Sequence, residues 1–382
     1  MSQAPCATAS VTLAKFWAED YPSLSAADKR KVIRDYALFL SEMKQAEPDL
    51  ALPLPPDCCL TANQNGVTFA CAARLGRIRA KQQPLATLLA WFWLTSSRSE
   101  RFRFLLIFGG PDRSLRSWNL AKIEKEALVR LQEIWQREVD EVHRGGAGFR
   151  VERQSGFSVW RRDDSPTASI LADLMPDPDQ AFEGARICKH GSRNHTGLVT
   201  LAGGSCLLKR YNCRGWIYRI QNSLRPSRAV KNWDLMHHFL VRGIPVPDPC
   251  LCIEERCCRL LGRSYILMEY FSGESLRQLW PKLDERGCID LVASLANLLG
   301  RMHRFGLLHG DLKWDNILVQ RDSRSLRIQL IDFDGARSVK RPSQRHASKD
   351  LDRFLRDLRS NDPTGYWEAR FMHGWSAWLA NL

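Results

Sequence analysis

His309-Gly310-Asp311-Leu312-Lys313-Trp314-Asp315-Asn316, HGDLKWDN, stands between two apolar runs, Leu307-Leu308 and Ile317-Leu318-Val319. Gly310 and the short flanking runs argue against a continuous helix and read this stretch as a loop between buried segments. Asp311 and Asn316 are five residues apart on that loop. Asp332 follows at the end of an apolar strand carrying Ile328, Leu330 and Ile331, and Phe333-Asp334-Gly335 comes next. Upstream, Lys209 ends another strand-like run, CLLK.

Phosphoryl transfer from ATP needs this set of groups. A carboxylate must orient the acceptor hydroxyl, an amide oxygen and a second carboxylate must hold Mg²⁺, and a lysine must fix the α/β-phosphates. Mg²⁺ takes oxygen ligands, so Asn316 and Asp332 are suitable types where His or Cys would not be. Each element alone is weak. A lysine on a strand, D-x4-N and D-F-D in this order make a strong joint signal.

At these residues the chain resembles a family. LLKRYNCRGW (207–216), SRAVKNWDLMHHFLVRGIPVPDP (227–249), YILMEYFSGESL (265–276), LLHGDLKWDNILV (307–319), LIDFDGAR (330–337) and KDLDRFLRDL (349–358) are similar to the bacterial lipopolysaccharide core kinases acting on heptose or Kdo, within the protein-kinase-like superfamily. The resemblance implies a two-lobed protein-kinase-like α+β domain in the C-terminal half; length and pattern read the region before it as a separate mixed α/β unit, which the resemblance does not cover. With the break at PDPDQ (176–180), the expected domains are 1–180 and 181–382, the latter with an N-lobe over about 184–270 and a C-lobe over about 274–382. The resemblance makes Lys209 the nucleotide lysine, Asp311 the catalytic base or orienter, and Asn316 and Asp332 the metal ligands. Lys313 lies near the transferred phosphate, and Glu269 and Tyr270 fall where a hinge contacts adenine. ATP and Mg are the implied cofactors, and the implied acceptor is an anionic glycolipid or sugar.

Three departures accompany the likeness. No G-x-G-x-x-G is present, and the phosphate-covering turn is the basic KHGSRNHTG (189–197). The helix over 227–243, which should supply an acid to Lys209, offers only Asp234. No A-P-E follows Asp332, which argues for a compact small-molecule or glycolipid kinase over an ordinary protein kinase.

The rest of the sequence bounds this reading. The chain has 382 residues, 44% of them hydrophobic, and a net charge of +14, which favours acidic or phosphorylated partners. No nucleic-acid-binding module accompanies that charge, so nucleic acid is disfavoured. Twelve cysteines without a secretory start read as reduced thiols in a cytosol. The most apolar stretch, Leu85–Leu94, is about half the ~20 residues of a membrane span. A cytoplasmic protein, peripheral at the inner membrane, is the expectation; RGWIYR (214–219) is a candidate interfacial segment, core packing being the other reading.

Ser25 and Asp28 form a capping-box variant before a helix that carries Ile33, Tyr36, Ala37 and Leu40. Phe104–Phe108, FLLIF, reads as a buried strand, a long helix follows from Leu120, and PDPDQ (176–180) reads as a linker. Cys250, Cys252, Cys257 and Cys258 suggest zinc, but neighbours on strands point to opposite faces, which favours plain thiols. The basic run 336–349 is a solvated loop or faces an anionic acceptor. Two other functions stand beside the leading one: a protein or small-metabolite kinase, and a nucleotide-binding pseudokinase or scaffold, which the missing glycine loop and helix glutamate motivate.

Overall fold

The computed structural model describes residues 11–12, 16–17, 20–46, 58–63, 66–71, 85–93, 95–109, 120–146 and 148–379, except 155, 176, 192–193, 202–203, 214, 259 and 322–325. Its contacts divide the chain into two units, Met1–Ile134 and Trp135–Leu382.

In the first unit, strands β1 (Val11–Thr12), β2 (Cys58–Asn63) and β3 (Gly66–Cys71) form a three-stranded sheet. Helix α1 (Ala26–Ala46) opens as its sequence predicts: Ser25 Oγ accepts the Asp28 N–H at 3.2 Å and donates to Asp28 Oδ2 at 2.6 Å. Helices α2 (Leu85–Trp91) and α3 (Arg98–Gly109) complete its core, where Ile33, Tyr36 and Leu40 pack with Trp17, Phe92 and Phe104. The run Phe104–Phe108 is therefore helical, not the strand its composition suggests. Phe104 and Phe108, one turn apart, stack at 6.0 Å while Leu106 faces outward, a pattern that five consecutive apolar residues conceal. The breaks that the sequence suggests at the proline-rich ALPLPPD (51–57) and at Gly110-Pro111 lie outside the described residues.

Helix α4 (Leu120–Arg144) follows, and the division between the units falls within it. In the second unit its C-terminal part sets Trp135 against Phe305 at 4.8 Å. The helix stops at Gly145, whose φ of 87° suits glycine.

The second unit is built on a seven-stranded antiparallel sheet in the order β4-β5-β9-β10-β8-β7-β6. Its strands are β4 (Phe149–Gln154), β5 (Phe157–Arg162), β6 (Arg186–His190), β7 (Asn194–Leu201), β8 (Gly204–Tyr211), β9 (Pro249–Cys257) and β10 (Leu260–Glu269). Side-chain alternation splits its core into two layers. Leu208, Leu251, Ile253, Tyr265 and Leu267 pack on one face with Ile170 and Leu174 of α5 (Ser165–Leu174). Cys252 and Ile266 pack on the other with Trp233, Met236 and Phe239 of α7 (Arg228–Val241). Ser227 caps α7 through the Val230 N–H at 3.2 Å, and Gly243 ends it at φ 66°, as the sequence predicts. Between β8 and α7 lies the short α6 (Gly215–Gln221).

The hairpin β4–β5 and α5 belong to this sheet, although they precede the boundary expected at 180. Val159 and Trp160 sit opposite Ile253 and Cys252 of β9. The linker expected at 176–180 is likewise tied down: Asp179 accepts from Arg210 at 3.0 Å and from the Tyr265 hydroxyl at 3.1 Å, and it contacts Arg263.

An extended segment after Glu269 leads to a mainly helical part with β11 (Glu274–Ser275), α8 (Leu276–Leu279), α9 (Glu285–Arg304), β12 (Leu307–Leu308), β13 (Ile317–Arg321), β14 (Leu326–Leu330), β15 (Arg337–Ser338), α10 (Gln344–Asn361) and α11 (Tyr366–Leu379). The core layer behind α7 continues here through Leu295, Leu299 and Met302 of α9 to Phe354 of α10 and to Phe371 and Trp375 of α11. The basic run 336–349 is partly ordered structure rather than one loop, for β15 pairs with β12, and Ser343 caps α10. Among the described residues no helix is long and apolar enough to cross a membrane.

Candidate active site

Between the sheet and the helical part lies a cavity of about 530 Å³. Leu207, Ile266, Met268, Leu318 and Phe333 give it apolar walls, and Lys209, Lys313, Asn316 and Asp332 line its polar end. A mostly apolar cleft with a few convergent polar groups is the usual form of a small-molecule site. Glu269 and Tyr270 lie on its rim.

Lys209 enters from β8, on the strand face towards α7. Its ammonium lies 3.0 Å from Asp332 Oδ1 and 3.0 Å from Asp334 Oδ1. Burial works against its charge, but Tyr211, Asp332 and Asp334 outweigh that and raise its pKa, so it stays protonated. Burial likewise raises the Asp332 carboxyl, yet Lys209 and Lys189 together hold it at about 2. Lys189, near the end of β6 where the basic stretch 189–197 begins, stands 3.2 Å from Asp332 Oδ2. The turn expected to cover phosphates thus does bring a cation to the site.

Asp332 itself adopts φ 65°, unusual for a residue with a side chain. It opens a 3-10 turn, Phe333–Gly335, that is anchored by Phe333 packing on Phe239 at 5.0 Å and on His309 at 5.3 Å. Gly310 and Gly335 meet across this turn: a Cβ at 310 would lie 2.2 Å from the Gly335 carbonyl oxygen.

The loop at 309–316 is held from beneath. His309, fully buried, accepts the Asp311 N–H on Nδ1 at 3.3 Å and bonds the Ile331 carbonyl through Nε2 at 3.0 Å. It is a structural histidine, as its place beside a glycine suggests. Asn316 donates its amide N–H groups to the Asp311 carbonyl (2.9 Å) and to Asp311 Oδ2 (3.2 Å). Asp311 Oδ1 takes a contact from Arg353 of α10, and Lys313 stands 3.9 Å from Oδ2.

The donor set fits a hard cation. With its nitrogen committed to Asp311, Asn316 has its amide oxygen left as a ligand, and Asp332 supplies anionic oxygen. One or two protein oxygens completed by phosphate and water are what Mg²⁺ takes. The four cysteines that suggest zinc are dispersed: Cys250 and Cys252 are buried in different core layers, and Cys257 and Cys258 are exposed.

Asp234 is not brought to the site. It lies 2.9 Å from His143 Nδ1 at the end of α4, and the expected pairing with Lys209 is not made. Two residues on a helix differ by about 200° in direction, and it is Asn232 that faces the cavity. The sequence reading took Lys189 only as part of the basic turn 189–197 and gave no individual role to Asn194, Arg228 or Arg353, which reach the site only through the fold. Arg162 of β5 is another: it contacts Asp248 and stands 3.6 Å from Glu269 Oε1, so an upstream strand reaches the rim of the cavity.

A strand lysine, an acid and an amide on one loop, and a second acid after a short strand, all at the junction of a β-sheet part and a helical part, define a protein-kinase-like phosphotransferase. Residues 196–375 match the sequence model of the lipopolysaccharide kinase (Kdo/WaaP) family. A 3-deoxy-D-manno-octulosonic acid kinase of Xanthomonas campestris pv. campestris (strain B100) is 30% identical over 189 residues, covering 47% of this chain and 72% of that protein. Another, of Xylella fastidiosa (strain 9a5c), is 27% identical over 180 residues, 46% of this chain and 70% of the relative. The solved structure of WaaP in complex with acyl carrier protein aligns at a TM-score of 0.43 with 19% identity, covering 54% of this chain and 86% of that one. The chain belongs to the lipopolysaccharide kinase (Kdo/WaaP) family, and it is a kinase.

Proposed function

We propose that the chain is an Mg-ATP-dependent kinase that phosphorylates a sugar hydroxyl of the lipopolysaccharide inner core, working at the cytoplasmic face of the inner membrane. The observation that carries this is the meeting of Lys209, Asn316 and Asp332 at one end of a single cavity, with Asp311 bonded to Asn316. The acceptor follows from the relatives named 3-deoxy-D-manno-octulosonic acid kinase.

In this reading the adenine occupies the apolar slot under Leu207, Met268 and Leu318. The Glu269 N–H is already donated to the Asp248 carbonyl at 3.0 Å, so at Glu269 the nucleotide meets the carbonyl, and its next partner is the Tyr270 backbone. Lys209 holds the α/β-phosphates. Asn316 and Asp332 hold Mg²⁺, which when bound neutralises the charge on the phosphate oxygens. Asp311 orients the acceptor hydroxyl and takes its proton as the oxygen bonds to the γ-phosphorus; the bond to the bridging β–γ oxygen breaks and ADP leaves. Lys313 and Arg353 flank Asp311 with positive charge, suited to the transferred phosphoryl group and an anionic acceptor.

The catalytic unit in this reading begins before β4. Membrane contact is assigned to α6 and the turn after it, where Trp216, Ile217, Ile220 and Leu224 are 71%, 55%, 51% and 91% exposed beside Arg225. The test is transfer of labelled γ-phosphate from Mg-ATP into separated lipopolysaccharide and protein fractions of a Gram-negative envelope, with Asp311→Asn as control. Label in the glycolipid with the wild type alone is expected. Label in protein would replace this acceptor assignment, and label in neither would reject it.

A further inference from the structure

Kinase chemistry requires the strand lysine to be braced by an acid, which in protein kinases comes from the helix packed against the sheet. Here that helix, α7, turns an amide to the site. We infer that Asp334 performs this bracing role, so that the acid positioning Lys209 comes from the D-F-D turn instead of the helix.

Asp334 is bonded on both oxygens. Oδ1 accepts from Lys209 at 3.0 Å, from the Tyr211 hydroxyl at 3.2 Å and from Asn232 Nδ2 at 3.0 Å. Oδ2 accepts from Arg228 at 2.8 Å and from Asn194 at 3.0 Å. These donors come from β7, β8 and α7, so the one carboxylate ties the strand lysine, the helix and the turn together. Asp332 also touches Lys209, but that carboxylate is the proposed metal ligand and changes partners when Mg-ATP arrives. Asp334 is not among the residues that line the cavity, and its five donors fix its orientation. Asn232 completes the exchange. It contacts both the Tyr211 hydroxyl and Asp334, which places it where a helix acid would stand. An acid at both 232 and 334 would crowd two negative charges around a single lysine. Asp334 is thus a positioning residue, acting on phosphate through Lys209.

This rests on the nucleotide reading above, and the test separates the two. Affinities for Mg-ATP and for adenosine are measured on the full-length wild type, on Asp334→Asn and on the double variant Asn232→Glu/Asp334→Asn. Loss of a charge-assisted contact to a buried lysine is expected to weaken Mg-ATP about 10–100-fold in Asp334→Asn. Adenosine, which has no phosphate for Lys209 to hold, should bind all three proteins equally. Restoring an acid from the helix should recover most of the Mg-ATP affinity, and kcat with it. Three results would overturn the inference: wild-type Mg-ATP affinity in Asp334→Asn, equal loss of adenosine, or no recovery in the double variant. Failure of the wild type to bind Mg-ATP at all would instead reject the nucleotide site and this inference together.

Discussion

Asp350 accepts the backbone N–H of Gly310 at 2.6 Å from forty residues further along the chain. Its other oxygen takes the His309 N–H at 2.8 Å and His303 Nε2 at 3.1 Å, while His303 Nδ1 accepts from Trp375 at 3.0 Å. The side chains of His303 and Asp350 are 0% and 4% exposed, so the loop at 309–316 is suspended from a buried pair. Asp350→Ala leaves His303 and two N–H groups without their acceptor and should destabilise the protein by about 3–5 kcal/mol. Urea unfolding, followed by tryptophan fluorescence, measures this; a change under 1 kcal/mol would contradict it.

Acid should weaken the fold in two stages. Burial lowers the pKa of His309, so the unfolded chain takes up protons below the ordinary 6.5 while folded His309 stays neutral, and stability falls as pH drops through that window. Burial together with Arg242 also pushes His238 down to about 4, which acts in the same sense. Burial opposes the charge of Asp350, but its bonds to His303, His309 and Gly310 prevail and lower its pKa. Its contribution is therefore present above the ordinary 3.8 and is lost as pH falls through its folded value. Thermal melts from pH 7 to 3 should show a progressive fall, and a flat profile between 7 and 5 would count against the histidine stage.

Asp311→Asn keeps the shape of the side chain and removes the proton acceptor. A lost general base typically lowers turnover about 10²–10⁴-fold, and Mg-ATP affinity should be unchanged, because Asp311 is not placed against the nucleotide. Arg353→Ala should cost only about tenfold in kcat, since Asn316 still holds Asp311 and an exposed charge is screened by solvent. Steady-state kinetics on the two variants distinguish the base from its neighbour.

Removal of divalent cation by a chelator should abolish transfer, and Mg²⁺ should restore it. Asp332→Ala should not be restorable, because the anionic oxygen of the metal site is gone. Activity that survives thorough chelation would refute the metal assignment.

Trp216→Ser with Ile220→Ser should reduce sedimentation with vesicles containing anionic phospholipid, and the wild type should bind less at high salt. Soluble nucleotide binding should not change. Equal sedimentation of variant and wild type would remove the membrane role of α6.

The grouping of Lys209, Asn316 and Asp332 in one cavity, with Asp311 bonded to Asn316, was readable because residue types in a fixed order, flanked by apolar runs, can be recognised from chain sequence alone. The contact between Lys209 and Asp334 was not, because the two lie 125 residues apart and meet only once β8 and the D-F-D turn are packed. Asp234 is a more attractive partner on paper than Asn232, yet the direction of each around α7 decides which can reach. The helix at Phe104–Phe108 was hidden for a related reason: an unbroken apolar run carries no periodicity. Turns and caps, by contrast, are local, and Ser25, Ser227 and Gly243 behave as their chemistry requires.

The hairpin of β4 and β5 has a practical consequence. A fragment started at residue 181, the boundary expected from the sequence, would lose two of seven strands and bare the β9 edge from Leu251 to Glu255. That edge is apolar at Leu251 and Ile253, the kind that pairs with its copy in a neighbouring molecule, and the hinge would lose Arg162 as well. Such a fragment should come out of cells as aggregate, whereas one beginning ahead of Phe149 should remain dispersed.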